Sequence, residues 1–366
     1  MRMRVAIDLR PLLEPFESGV TVYTKAMVDE LLQRRDVEVD LFYQASSRCA
    51  AIHARYPQVR WIQLSNTAFH ARSVLRFPSL PADYFPRRPD LIWLPDRRPF
   101  YRTEIPLVMT IHDQTPERFR SSLSLKSRLW HAIFSLRRLL ALSSGLLFPS
   151  LTVAQAIQTK LPWEVTYEGA RLAAHEERPK GVGGVRDGFV FSLAPLDPRK
   201  RLHWVFELAR RFPKTTFLCA GVKKGERRFS GVRVPSLPNV LLLPAISEAE
   251  KTWLFRYAGV FLALSAYEGF DLPVLEAVQA KTPVILSDIG VHRELYKNAV
   301  FVRDVDEAQA ALYSALEGFG KVPQVRGAYS WKLAAERALL FFVRVLLHKD
   351  RESGGHRHSQ NHSHHA

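Results

Sequence analysis

Two glutamates, Glu268 and Glu276, lie on either side of a predicted turn, with seven residues between them. Pro273 marks the start of a helix, because proline fits the first helical position without losing a hydrogen bond. Taken singly, Glu276 could serve the helix dipole and Glu268 could be a solvated loop residue. Taken together, they flank a turn whose free backbone N–H groups suit an anion or a polar ligand.

The residues around these glutamates predict a strand, a turn, a helix and a second strand. Residues 260–264 and 284–286 are short apolar runs typical of buried strands, and the helix between them ends near Lys281. This order makes a βαβ unit, in which the turn lies at the carboxyl end of the first strand. Because α/β proteins bind ligands at that end, we expect a binding site there.

The stretch 268–277, EGFDLPVLEA, followed by KTPVILSDIG, resembles the Glu–seven–Glu signature of the retaining family 4 glycosyltransferases. The resemblance implies an α/β fold of the GT-B type, with two Rossmann-like domains whose parallel sheets face a central cleft. It also implies that Glu276 binds the ribose hydroxyls of a nucleotide-sugar. The residues it implies for contact with the transferred sugar are Glu268, Gly269, Phe270, Asp271 and Leu272.

Two residues depart from the family pattern in this stretch. Asp271 stands where the family usually has a second glycine, and Lys281 stands where a small residue or glycine normally ends the helix. Both alter the detail of the predicted turn and leave the order of acids, aromatic residue, proline and strand intact.

A second predicted site is the basic loop before residue 202, which resembles the family's donor-phosphate loop. Lys200 matches the family's lysine, but Ala-Pro at 194–195 replaces the family's Gly-Arg. Arg199 or Arg201 could supply the missing charge, since guanidinium groups bind phosphate in a bidentate manner. A solvated basic loop remains open as the other interpretation of these two arginines.

The N-terminal half contributes two further candidates. Gly19 is what remains of a loop that is glycine-rich in the family and faces the donor diphosphate. His112 follows a predicted strand at 107–111, and the resemblance places it near the donor sugar and the reaction centre. A structural hydrogen-bonding role is the alternative for His112, but its position at a strand's carboxyl end favours the functional one.

The periodicity of the chain predicts two α/β domains with short strands between helices and polar loops. The predicted parts are an N-terminal acceptor-side domain (1–175), a linker (176–188), a nucleotide-sugar domain (189–330), a helix crossing back to the N-terminal domain (331–348) and a disordered, histidine-rich tail (349–366).

Composition narrows the class of protein. The 366 residues are 47% hydrophobic and 24% charged, which suits globular domains with cores. No apolar run approaches the ~20 residues of a membrane helix, and Cys49 and Cys219 are too far apart for a disulfide framework or a metal site. With no signal-peptide pattern at the start, these features predict a cytoplasmic protein.

The net charge of +16 favours anionic partners. Residues 118–144 predict a helix with one broad apolar face from residue 125 onward and a basic character from Lys126, Arg128, Arg137 and Arg138. A surface helix with solvated charges explains much of this pattern. A basic amphipathic helix can also bind anionic headgroups, which predicts peripheral attachment to the inner face of the cell membrane.

The family resemblance implies a metal-independent, retaining hexosyltransferase without a cofactor. Its catalytic residues would be His112, Glu268 and Lys200, and its partners a GDP- or UDP-sugar and a glycan or lipid-linked acceptor, in bacterial surface-polysaccharide or lipopolysaccharide assembly. A degenerate member that binds without turnover, a basic nucleic-acid binder and a sugar-nucleotide epimerase remain alternatives. Nucleic acid is not expected as a partner, because no zinc finger or RNA-binding aromatic signature accompanies the charge.

Overall fold

The computed structural model describes residues 2–14, 18–44, 48–64, 85–98, 100, 102–119, 125–222, 225, 228–229 and 232–358. These residues form two compact units. The described residues of Met1–Gln114, Ser124–Glu168 and Ser330–Ala366 make up the N-terminal unit. Those of Thr115–Leu123 and Gly169–Tyr329 make up the C-terminal unit.

The strands of the described chain are, in order, β1 (Met3–Asp8), β2 (Val37–Gln44), β3 (Arg60–Leu64), β4 (Leu91–Leu94), β5 (Leu107–Thr110), β6 (Gly145–Phe148), β7 (Trp163–Val165), β8 (Phe189–Leu193), β9 (Phe217–Ala220), β10 (Arg228–Phe229), β11 (Val232–Arg233), β12 (Val240–Leu243), β13 (Ala258–Ala263), β14 (Val284–Ser287), β15 (Tyr296–Lys297), β16 (Val300–Val302) and β17 (Gln324–Val325).

The helices of the described chain are, in order, α1 (Gly19–Leu32), α2 (Cys49–Arg55), α3 (Thr115–Arg118), α4 (Leu125–Ile133), α5 (Leu136–Leu140), α6 (Leu151–Ala156), α7 (Leu202–Arg211), α8 (Glu248–Tyr257), α9 (Leu272–Gln279), α10 (Gly290–Leu295), α11 (Val305–Ser314) and α12 (Trp331–His358). Short 3-10 helices span Arg10–Leu13 and Pro198–Lys200.

Each unit is built on a parallel sheet. In the described residues, the N-terminal sheet has the order β3-β2-β1-β4-β5-β6-β7, and the C-terminal sheet has the order β12-β9-β8-β13-β14-β16. Every residue of β4, β5 and β6 is buried, as in parallel strands that are covered on both faces. The prediction of two Rossmann-like domains with parallel sheets is confirmed.

Helix α12 packs in the N-terminal unit. Its Trp331 ring lies 6.0 Å from that of Tyr23, and its Phe342 ring lies 6.0 Å from that of Trp93. The helix runs on to His358, past residue 348 where the sequence analysis ends it and starts a disordered tail. Lys349, Arg351 and Glu352 are good helix formers and extend the helix past the apolar pattern, whereas propensity does not explain the helical Gly354 and Gly355. Residues 359–366 of the predicted tail lie outside the described residues.

The single helix predicted within residues 118–144 is wrong, because α4 and α5 are separate. Ser135 has extended backbone angles (φ −61°, ψ 151°) and starts α5. Its carbonyl accepts hydrogen bonds from the amides of Arg138 and Leu139, at 2.9 and 3.1 Å. An apolar pattern with helical spacing can continue across such a break, so periodicity alone did not reveal it.

Candidate functional site

Glu268 lies in the loop after β13 and is only 6% exposed. The Nζ atom of Lys200 lies 2.5 Å from its Oε1. A guanidinium N–H of Arg199 donates to its Oε2 at 2.9 Å and also to the carbonyl of Tyr267 at 2.9 Å. The structure therefore brings the predicted acid and two of the three predicted basic residues into one cluster, which we call the Glu268 cluster.

The charge of Glu268 is set by these neighbours. Burial alone would raise its pKa, but the charges of Lys200 and Arg199 lower the pKa to about 2. The carboxylate is thus ionised at neutral pH and neutralises cations that could otherwise bind a phosphate. Because Coulomb attraction is stronger in a buried site, a diphosphate entering here would compete directly with Glu268.

The loop that holds the two cations is ordered locally. Asp197 caps the 3-10 helix Pro198–Lys200 by accepting from the Arg199 amide at 2.8 Å. Arg201 follows with left-handed backbone angles (φ 49°) and directly precedes α7. Its guanidinium stacks over the Trp204 ring, 4.3 Å from the centroid, so Arg199 lies in the Glu268 cluster and Arg201 does not.

Glu276 has a different environment, although it belongs to the same motif. It lies in α9 and is 4% exposed. The ammonium group of Lys251 in α8 donates to its Oε1 at 2.7 Å and also pairs with Glu248 at 2.9 Å. Burial raises the pKa of Glu276 to about 7, and Lys251 opposes this shift. We call these three residues the Glu276 cluster.

The turn between the two acids shows why glycine is usual in the family at position 271. Asp271 has φ 71° and ψ 63°, in the left-handed region that glycine occupies most easily. Its carboxylate oxygen Oδ2 hydrogen-bonds to Nε2 of His292 at 3.0 Å. Lys281 also lies in the left-handed region, with φ 63°, at the position where the family ends its helix with a small residue or glycine.

The other turn residues are buried. Gly269 and Leu272 are buried, and Phe270 is 4% exposed. The Phe270 ring packs edge-on against Tyr329, with centroids 5.8 Å apart. Pro273 occupies the second position of α9 rather than the first, because Leu272 opens the helix.

His112 follows β5 in the N-terminal unit, and both of its ring nitrogens have protein partners. Nε2 lies 2.8 Å from the Pro95 carbonyl and Nδ1 lies 3.3 Å from Oε1 of Glu168. Burial alone would lower the pKa of His112, but the hydrogen bond and charge of Glu168 raise it above its usual value. These contacts match the structural role that the sequence left open, and they stabilise the imidazolium form.

Gly19 is the first residue of α1 and is exposed. Ser18 caps this helix by accepting from the Thr21 amide at 3.3 Å. A Cβ atom on Gly19 would have no atom within 4 Å. The space beside this residue is therefore open, as close approach of a ligand to the backbone requires.

Two family models match the chain. The model described as Glycosyltransferase Family 4 matches residues 18–172, and the model described as Glycosyl transferases group 1 matches residues 175–319. The second match contains both the Glu268 and the Glu276 clusters. The chain belongs to glycosyltransferase family 4.

A relative of known activity matches part of this glycosyltransferase. It is the processive diacylglycerol alpha-glucosyltransferase of Acholeplasma laidlawii, which is 29% identical over 144 residues. The match covers 36% of this chain and 43% of the relative, so it spans less than half of that enzyme.

Solved structures share the fold of nearly the whole chain. Sucrose-phosphate synthase from Thermosynechococcus elongatus superposes with a TM-score of 0.63 at 15% identity, over 98% of this chain and 100% of that one. The lipopolysaccharide outer core galactosyltransferase WaaB gives a TM-score of 0.56 at 14% identity, over 97% of this chain and 100% of that one. An E. coli trehalose-6-phosphate structure bound with UDP-2-fluoro glucose gives a TM-score of 0.53 at 15% identity, over 93% of this chain and 96% of that one. At these identities the likeness shows the fold alone.

Sequence reasoning missed three residues that support the motif of this glycosyltransferase. Lys251 and His292 lie 25 and 21 residues from the acids they contact, and no spacing rule links residues so far apart. Asp197 had a local signal, because an aspartate directly before proline and a short basic run is typical of a helix cap.

The described residues contain no group of three or more His, Cys, Asp and Glu side chains that could hold a metal ion. The chain has one Asp-X-Asp spacing, at Asp304 and Asp306. Asp304 caps α11 through the amides of Asp306 and Glu307, and Asp306 pairs with Arg211, so this spacing starts a helix. None of the described helices is both long and apolar enough to cross a membrane.

Proposed function

We propose that this glycosyltransferase moves a hexose, such as mannose, from a UDP- or GDP-sugar to an acceptor hydroxyl with retention at the anomeric carbon. The observation that carries the proposal is the convergence of Lys200 and Arg199 on Glu268. Two half-buried cations next to a glycine turn suit a diphosphate. Glu276, one helical turn further on, suits the ribose hydroxyls, because a carboxylate is a strong hydrogen-bond acceptor.

In the proposed reaction, the bond between the anomeric carbon and the diphosphate oxygen breaks while the acceptor oxygen bonds to the same face of the sugar. The acceptor proton passes to the leaving phosphate oxygen. Negative charge grows on the diphosphate, and preorganised cations stabilise such charge most strongly when water is excluded. Lys200 and Arg199 supply those cations, together with the amides of the turn from Gly269 to Leu272.

The two acids bind the donor in this proposal and do not act as a nucleophile and an acid, as paired carboxylates do in glycosidases. Glu268 is held by two cations without the donor, and in this proposal it contacts the transferred sugar once the diphosphate takes its place on them. The same cations do the work of a divalent metal ion, so we expect turnover to survive treatment with EDTA.

We further propose a glycan or lipid-linked acceptor in bacterial surface-polysaccharide, lipopolysaccharide or glycolipid assembly. The diacylglycerol glucosyltransferase named above supports this setting by its own activity. Reversible attachment to an anionic membrane surface belongs to the same proposal. Leu129 in α4 is 63% exposed, and Arg128, Arg137 and Arg138 are exposed near it in the chain.

The test is a donor screen with purified protein. UDP-glucose, UDP-galactose and GDP-mannose should be compared by thermal stabilisation and by slow donor hydrolysis, with the Lys200→Ala variant as the matched control. A ligand at ~100 times its dissociation constant adds roughly 2.7 kcal/mol to the free energy of unfolding. Stabilisation by one donor that Lys200→Ala removes supports the proposal. Binding without any hydrolysis or transfer would favour the degenerate binding protein instead.

A further inference from the structure

Asp271 has a backbone conformation and a side-chain contact that the donor-binding motif alone does not explain. It precedes α9 with left-handed angles, φ 71° and ψ 63°, and its carboxylate makes no cap hydrogen bond to that helix. An aspartate at this position usually accepts from the helix amides. Here Oδ2 lies 3.0 Å from Nε2 of His292 instead, which leaves the helix start without a side-chain cap.

His292 is fully buried in α10, which follows β14. Its Nδ1 lies 2.8 Å from the Ser287 carbonyl. A carbonyl oxygen only accepts, so Nδ1 carries a proton. Nε2 faces a carboxylate, so one further proton lies between His292 and Asp271. The two residues thus form a hydrogen-bonded buried pair.

The pair connects the turn to the neighbouring strand. The Ser287 hydroxyl, at the end of β14, donates to the Ser265 carbonyl at 2.6 Å. The Ser265 side chain lies beside Glu268 and helps to lower the pKa of that carboxyl. Two chains of contacts therefore run from β14 to the turn, one through His292 to Asp271 and one through Ser265 to Glu268.

We propose that Asp271 and His292 are a positioning pair that holds the turn at 268–272 in the geometry that receives the donor sugar. Glycine reaches left-handed angles without help, whereas an aspartate there needs an anchor to keep this conformation. His292 is that anchor, through its contact with Oδ2 of Asp271. Neither residue needs to touch the reacting atoms for this role.

This inference rests on the proposed function only for its activity readout. The variants are His292→Ala, Asp271→Gly and the double variant, with Arg293→Ala as the control. Arg293 lies in the same helix and forms an exposed pair with Asp288 at 2.6 Å. Hydrogen exchange of a peptide covering 266–275 reports the turn directly, and donor KM and kcat with UDP-glucose and GDP-mannose report its use.

His292→Ala should accelerate exchange in this peptide at least 10-fold and raise donor KM at least 10-fold, because it orphans a buried carboxylate. The double variant should recover to within about 3-fold of Asp271→Gly in both measurements, since glycine needs no anchor. Arg293→Ala should change neither. A pair that served stability alone would lower the melting temperature of His292→Ala but leave exchange in the turn and KM unchanged at 15 °C.

The inference is overturned if His292→Ala leaves the turn's exchange unchanged, or if the double variant is no better than His292→Ala. Should His292→Ala fail to fold, Asp271→Ala replaces it, and this variant must then show faster exchange than Asp271→Gly. If the unaltered chain turns over no nucleotide-sugar, the proposed function fails, while the exchange measurements still decide on the pair.

Discussion

Two acids of one motif have opposite electrostatic environments in this glycosyltransferase. Glu268 is held by two cations, Lys200 and Arg199, and its pKa falls to about 2. Glu276 shares one lysine with Glu248, and burial raises its pKa to about 7. Both residues are glutamates of one motif, so the sequence alone does not show that their environments differ. We interpret Glu268 as a resident anion that a diphosphate displaces, and Glu276 as a tunable acceptor for ribose hydroxyls.

The largest expected effect comes from removing a cation of the Glu268 cluster. Lys200→Ala should lower kcat/KM for the donor by about 100- to 1,000-fold, because a preorganised charge next to the leaving group is lost. Arg201→Ala is the matched control, since its guanidinium stacks on Trp204, and it should stay within about 3-fold. Steady-state kinetics on folded protein decides, and equal losses in the two variants would contradict the assignment of Lys200.

The pH dependence of stability should differ between the clusters in sign. A carboxyl whose pKa is raised from 4.5 to about 7, as for Glu276, costs stability as the pH rises through that window. Glu268 has a lowered pKa, so it contributes stability that is present above pH 4.5 and is lost as the pH falls toward 2. Between pH 5 and pH 8, the free energy of unfolding of Glu276→Gln should therefore rise by on the order of 3 kcal/mol relative to that of the unaltered chain. Urea unfolding at both pH values measures this change. If the variant and the unaltered chain differed by the same free energy of unfolding at pH 5 and pH 8, the raised pKa of Glu276 would be contradicted.

Donor affinity should follow the ionisation of Glu276. It should rise by up to about 10-fold between pH 6 and pH 8 as the carboxylate forms, because hydrogen bonds to charged groups are the stronger ones. Glu276→Gln should be weaker at pH 8 and flat across this range. Calorimetric titration at four pH values gives the profile. A rise of the same size in the variant would assign the effect to another group.

The smallest effect concerns charges outside both clusters. Changing Lys126, Arg128, Arg137 and Arg138 together to Gln should reduce flotation with anionic vesicles, since each basic residue near such a surface contributes about 1 kcal/mol. Binding should also fall as salt rises. Donor hydrolysis in solution should not change. Equal recovery on neutral and anionic vesicles would remove the membrane part of the proposal.

The sequence predicted the fold well where the signal was local. Short apolar runs such as 107–111, 260–264 and 284–286 marked strands of both sheets, and the acids, glycine and proline of 268–277 identified the turn. The break at Ser135 and the extension of α12 were missed, because backbone angles at one serine and helix formation by charged residues leave no apolar pattern.

The motif's partners were harder to predict than the motif itself. Which arginine joins Lys200 depends on the left-handed angle at Arg201, which turns that residue toward Trp204. Lys251 and His292 come from other helices, so their contacts exist only once the C-terminal sheet has formed. Spacing along the chain cannot reveal such pairs without knowledge of the packing.

The most direct test separates the two acids by the part of the donor they bind. Calorimetry should compare a nucleoside diphosphate with its sugar conjugate, UDP with UDP-glucose or GDP with GDP-mannose, in Glu268→Gln and Glu276→Gln. The account predicts that Glu276→Gln weakens both ligands by the same factor of about 10. Glu268→Gln should bind the diphosphate at least as tightly as the unaltered chain, because Lys200 and Arg199 lose their competitor, and should weaken only the sugar conjugate. Equal weakening of the free diphosphate by both variants would contradict the account.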